Sequence, residues 1–140
     1  MRLDEDEARA RLVAHDHGVL STLHAERGVD AVPVVYVVGG DGHVGVPVDR
    51  VKPKASSRLQ RERNLEADPR ATLLVDHWDR DDWSQLWWVR ADGEATVHYS
   101  GEEMGGGYLW LRQKYLQYQR IALDGPVVTV DVKKWSSWQA

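Results

Sequence analysis

Cysteine and phenylalanine are both missing from the 140 residues, and no stretch approaches the ~20 consecutive apolar residues of a membrane-spanning helix. Without cysteine there is no disulfide framework, no thiolate metal centre and no thiol nucleophile, a composition compatible with a reducing interior. The opening MRLDEDEARARLVAHD is charged throughout and lacks the apolar core of a signal peptide, so a soluble cytoplasmic protein is expected. Also lacking are a glycine-rich dinucleotide fingerprint, a phosphate loop and a serine nucleophile elbow. Rossmann oxidoreductases, NTPases and α/β-hydrolases lose their main support. His15 and His17 stand two apart at a helix end, where they are not expected to share a face, and the run from His77 to Asp82 has no second ligand cluster. No metal site is expected.

Present instead are seven tryptophans and five tyrosines, aromatic residues with a polar handle that suit wet pockets and subunit interfaces. Positive charge is concentrated. Between Arg50 and Arg63 lie Arg50, Lys52, Lys54, Arg58, Arg61 and Arg63 against Glu62 alone, a balance of +5 in a chain of net −4, so the remainder sums to about −9. A solvated helix face that aids solubility explains such a run blandly. The sharper reading is an anion site, because the segment follows a predicted strand and enters a predicted helix, whose first N–H groups and dipole favour a phosphate that arginine forks can grip. Binding of nucleic acid fits less well: the pI is near 5.8, and the charge does not run along a groove.

At this length one domain with one real core is expected. The pattern predicts a helix over Leu3–Asp16 ended by Gly18, a hairpin of strands Gly18–Ala25 and Asp30–Val38, and a third strand His43–Asp49. Pro33 cannot donate a ladder hydrogen bond, which places its strand at an edge or a bulge. There follow a helix over 55–67, a strand Ala71–Trp78, an acidic loop, and a long strand or hairpin over Ser84–Tyr99 bent near Asp92-Gly93. Adjacent Trp87 and Trp88 must face opposite sides of that strand. A helix is expected from Tyr108 to Ile121, its start frayed by Gly105-Gly106-Gly107, then a strand Pro126–Val132 and a tail whose Trp135 and Trp138 rest on something. The inventory is α+β: six or seven mainly antiparallel strands, barrel-like, with three helices.

The run KPKASSRLQRERNLEADPRATLLVDHW followed by DDWSQLWWVRADGEATV, with the opening hairpin GVLSTLHAERGVDAVPVVYVV and the later KYLQY, resembles the split β-barrel flavin and deazaflavin oxidoreductases. That superfamily includes pyridoxamine 5′-phosphate oxidase, and the resemblance is nearer to its actinobacterial branch, which uses the deazaflavin F420. It implies a homodimer with cofactor in a groove between subunits and a small-molecule substrate. The phosphate end of the cofactor would fall to Lys52, Lys54, Arg58, Arg61 and Arg63, with Arg61 the best match to the usual basic position. Trp83 matches a groove-lining residue, and Pro33, Val34 and Tyr36 would lie alongside the rings. FMN is the alternative cofactor, and a non-enzymatic cofactor- or haem-binding protein the alternative role. A cofactor that carries the hydride chemistry leaves the protein to bind, orient and exclude water, which fits the lack of nucleophile and metal motifs.

Overall fold

The computed structural model describes residues 1–48 and 59–140. Helix α1 (Glu5–Ala14) is opened by Asp4, whose carboxylate accepts the Glu7 N–H at 2.8 Å, and acidic residues fill its first turn. Ala8 and Leu12, one turn apart, are its buried face. The helix stops before Gly18, because His15 is already extended and its carbonyl accepts the Lys114 ammonium at 2.6 Å. Gly18 has another task. It lies in strand β1 (His17–His24), where an added Cβ would stand 2.7 Å from the Leu74 carbonyl oxygen.

Strands β2 (Gly28–Val35), β3 (Val37–Val38), β4 (Val44–Pro47), β5 (Arg70–His77), β6 (Trp87–His98) and β7 (Val127–Gln139) complete a seven-stranded antiparallel sheet in the order β2-β1-β5-β6-β7-β4-β3. The sheet curls until β2 comes against β4, giving the α+β split half-barrel. β2 is an edge strand and carries Pro33, as its missing N–H requires. Helix α2 (Gln60–Ala67) and helix α3 (Glu102–Lys114) supply the other helical turns.

The expectations for the residues after Val132 and for both ends of α3 are corrected, while the long strand bent near Asp92-Gly93 is found. The residues after Val132 are strand, not tail: β7 runs to Gln139, with Trp135 opposite Ala91 and Trp138 opposite Trp88. β6 is a single strand whose register shifts at Asp92/Gly93, where a Cβ on Gly93 would lie 2.2 Å from the Asp131 carbonyl oxygen. The glycine triplet does not fray α3, which is helical from Glu102. Gly107 lets it settle on β7, since a Cβ there would come within 2.9 Å of a Val127 methyl. The helix ends at Lys114, and a short 3₁₀ turn, Leu116–Gln119, follows.

The core lies inside the curl, where Leu12, Leu20, Tyr36, Leu73, Val75, Val89, Val128 and Val130 are essentially inaccessible. Trp87 packs against this core, whereas Trp88 lines a hollow on the opposite, outer face with Leu74 and Leu86. Pairing places Pro33, Val19, Leu74, Arg90 and Ser136 in one row across that outer face. Val19, Leu74 and Trp138 are 36%, 39% and 39% exposed there. Among the described residues no helix is long and apolar enough to cross a membrane.

Candidate functional site

The sheet leaves a cleft where α2 meets the β1–β2 hairpin. α2 begins at Leu59, whose N–H is accepted by the Glu62 carboxylate at 2.7 Å, the reciprocal half of a capping box. Glu62 is fully buried, and its other oxygen accepts the Tyr99 hydroxyl at 3.1 Å. One turn further on, buried Asn64 fixes the helix to the sheet. Its amide donates to Thr22 Oγ1 at 3.0 Å and to Asp30 Oδ2 at 2.9 Å, while its Oδ1 accepts from Gln60 at 2.9 Å. Arg27 pairs with Asp30 at 3.0 Å.

This framework aims the start of α2 into a cleft of about 380 Å³ lined by Thr22, Asp30, Val32, Leu59, Gln60 and Arg61. Arg61 is partly buried in its wall. The cleft therefore brings Arg61 and Thr22 together with the first residues of a helix beside strand β2, a lining suited to a phosphate attached to a flat, largely apolar body. The one carboxylate in its wall, Asp30, is already occupied by Arg27 and Asn64.

Among the expected phosphate ligands, Arg61 faces this cleft, while Arg63, two residues on, is exposed and does not line it. Lys52, Lys54 and Arg58 lie outside the described residues. Pro33 is exposed on the outer face of β2, and Val34 is buried on the inner one. Tyr36 does not line this cleft. Its ring is enclosed in the core, its hydroxyl donates to the Leu12 carbonyl, and its N–H donates to the Tyr115 hydroxyl at 3.2 Å. Burial, with the neighbouring Tyr115, raises the Tyr36 phenol well above its ordinary range, so it stays protonated.

Trp83 is 68% exposed in the loop after β5, its indole N–H donating to the Arg80 carbonyl at 3.2 Å. That loop is shaped by its own carboxylates: Asp79 Oδ1 accepts the N–H groups of Asp81 and Asp82, and Asp82 Oδ1 accepts the N–H and the hydroxyl of Ser84. The Arg61 cleft borders the Arg70 end of β5, because Thr22 in its wall pairs with Ala71. Trp83 follows the His77 end. Eight residues of strand separate the two ends, about 23 Å at the usual rise. One chain does not bring Trp83 and Arg61 together.

At the His77 end, the two histidines not expected to share a face do so. His15 and His17 flank an extended backbone, and their rings stack at 5.8 Å, with His15 edge-on to Trp87 at 5.4 Å and His77 stacked on Trp87 at 6.3 Å. Among the described residues no three His, Asp or Glu side chains are placed to hold a metal. Thr22, Asp30 and Asn64, which shape the cleft, escaped the sequence reading. The available signal was the Gln60–Asn64 spacing, two amides one turn apart on a helix face that also carries Leu65.

The curled antiparallel sheet, with an inserted helix opening onto a cationic cleft, defines a split β-barrel of the kind that holds flavins. The chain belongs to the pyridoxamine 5′-phosphate oxidase family, whose model matches residues 4–139. Among solved structures it is similar to a conserved hypothetical protein of Mycobacterium tuberculosis (TM-score 0.77, 18% identity, 98% of this chain and 85% of that one). It is also similar to an FAD-binding protein of Mycobacterium smegmatis (TM-score 0.65, 15% identity, covering 100% and 99%). A haem-binding protein of the same organism shares the fold (TM-score 0.70, 22% identity, covering 95% and 56%). No curated protein matches the chain in sequence.

Proposed function

We propose that the protein is a homodimeric oxidoreductase that transfers a hydride between the deazaflavin F420 and an organic substrate. The observation that carries this reading is the cleft at the start of α2, where Arg61, Thr22 and the first residues of the helix line one hollow beside β2. Bound F420 supplies a hydride at carbon; the chain's tasks are to grip the anionic tail, lay the rings along β2 and keep water out. The tail of F420 carries carboxylates besides its phosphate, which suits the +5 balance of residues 50–63 better than the single phosphate of FMN. FMN is the second reading, favoured by the structural likeness to FAD-binding proteins.

Titrating the protein with F420 and with FMN, followed by tryptophan quenching, separates the two. F420 is expected to bind more tightly; tighter FMN overturns the assignment of cofactor. Arg61→Ala should weaken binding by about 1.5–3 kcal/mol without unfolding the protein, and affinity should fall as salt rises. Reduced F420 is then offered quinone, enone and tetrapyrrole acceptors. Binding without turnover of any of them assigns the protein a storage or sensing role instead.

A further inference from the structure

Lys114 ends α3 as a half-buried cation with no paired carboxylate among the described residues. Its ammonium donates to the His15 carbonyl at 2.6 Å and stands 4.1 Å from the centre of the Tyr36 ring and 5.3 Å from that of Tyr115. One carbonyl and two ring faces hold the group in place but leave its charge unneutralised. Burial holds the amine below its ordinary range, and Asp16, which opposes the shift, acts only from a distance.

The same side chain lines a hollow of about 260 Å³ between α1, β3 and α3. Val13 comes from α1, Val37 and Val38 from β3, and Trp110, Gln113 and Lys114 from one face of α3, at the spacing i, i+3, i+4. A glycine sets the indole wall: an added Cβ on Gly39 would stand 2.2 Å from the Trp110 ring, so only a residue without a side chain lets the ring lie there. Gln113 is exposed and offers a second donor. This hollow is separate from the Arg61 cleft, because Lys114 is bonded to His15, just before β1 begins, whereas Thr22 of the cleft wall lies towards the far end of that strand. None of its lining residues belongs to the cofactor site proposed above.

Three valines, a flat indole and one uncompensated ammonium match a ligand that carries a single negative charge on a compact, flat, apolar body. A hydrocarbon would bury the ammonium still unpaired, and a dianion would bring more charge than one lysine offsets. We infer that this hollow binds a small aromatic monocarboxylate, with its ring against Trp110 and the valines and its carboxylate on Lys114.

Isothermal titration calorimetry of the whole protein with 2-naphthoate tests this, with 2-naphthamide as the uncharged isostere. Naphthoate is expected to bind with a Kd of about 1 mM or tighter, and the amide at least about tenfold more weakly. Lys114→Gln should bring naphthoate down to the level of the amide. Val13 is 51% exposed, so Val13→Trp fills the hollow from its solvent side without entering the core and should block naphthoate; this variant decides the matter if Lys114→Gln does not fold. Arg61→Ala should bind naphthoate as the parent does. Absence of naphthoate binding, equal affinity for the two compounds, or binding that survives Val13→Trp and is lost in Arg61→Ala overturns the inference.

Discussion

Asn64 is the residue on which the orientation of α2 turns, and its replacement by leucine tests that geometry. The amide makes three hydrogen bonds at 2.9–3.0 Å, one of them to the Asp30 carboxylate. Neutral bonds contribute about 0.5–1.5 kcal/mol each, and one to a charged group about 1.5–3. Leucine fills nearly the same volume but leaves Thr22, only 4% exposed, without its donor. A loss of about 2–4 kcal/mol is expected, the bond to Gln60 weighing least because that side chain is exposed. With a urea slope of about 1–3 kcal/mol/M, the unfolding midpoint should fall by about 1–2 M with the slope unchanged.

Asn64→Asp sharpens the test, since it sets a second carboxylate against Asp30. Sharing the site raises the folded-state pKa of the pair above that of the unfolded chain. The sign follows: the variant keeps its stability at low pH and loses it as pH rises through the raised value, so its deficit against the parent widens between about pH 4 and pH 7. A midpoint that moves by less than about 0.3 M in the leucine variant, together with an aspartate variant as stable as the parent at pH 7, would refute the assigned role of Asn64.

Other outcomes follow from single positions. Gly105 sits within α3 with nothing within 4 Å of its would-be Cβ, so Gly105→Ala should stabilise by about 0.5–1 kcal/mol in chemical denaturation. Gly93→Ala should cost at least about 3 kcal/mol by the same assay, because the 2.2 Å approach to the Asp131 carbonyl oxygen forces the strands apart. Burial, and next the charge of His17, hold the His15 imidazole below its ordinary 6.5; Asp16 and Asp76 oppose the shift and Lys114 adds to it. Protonation then favours the unfolded chain, so the thermal midpoint should fall as pH drops below 6.5, and His15→Gln should flatten that fall. The Arg70 hydrogen bonds hold Asp68 down at about 2, and NMR titration of Arg70→Ala should return it to the ordinary carboxylate range.

The hairpin, the edge position of Pro33 and the opposed faces of Trp87 and Trp88 could be read from the chain because each follows from local rules: a short turn, a missing N–H, a period of two. The errors share a different origin. The glycines at 105–107 argued locally for a frayed helix, and only the Val127 methyls, twenty residues later, show why Gly107 belongs inside one. The strand after Val132 was hidden because its ladder partner is the first half of β6, forty or more residues earlier. For the site, Arg61 of the expected cations lines a cleft, but the tether from Asn64 to Thr22 and Asp30 depends on pairings that no short window contains.

Lys114 and Tyr115 bear on how the chain folds during synthesis. Lys114 donates to the His15 carbonyl, Tyr115 donates to that of Asp16 at 2.6 Å, and Ser137 bonds the backbone of Leu3 on both sides. These three partners are translated 99 to 134 residues after the backbone groups they hold. The Tyr36 hydroxyl can reach the Leu12 carbonyl early in synthesis, but the long-range bonds that complete the seat of α1 wait for α3 and β7.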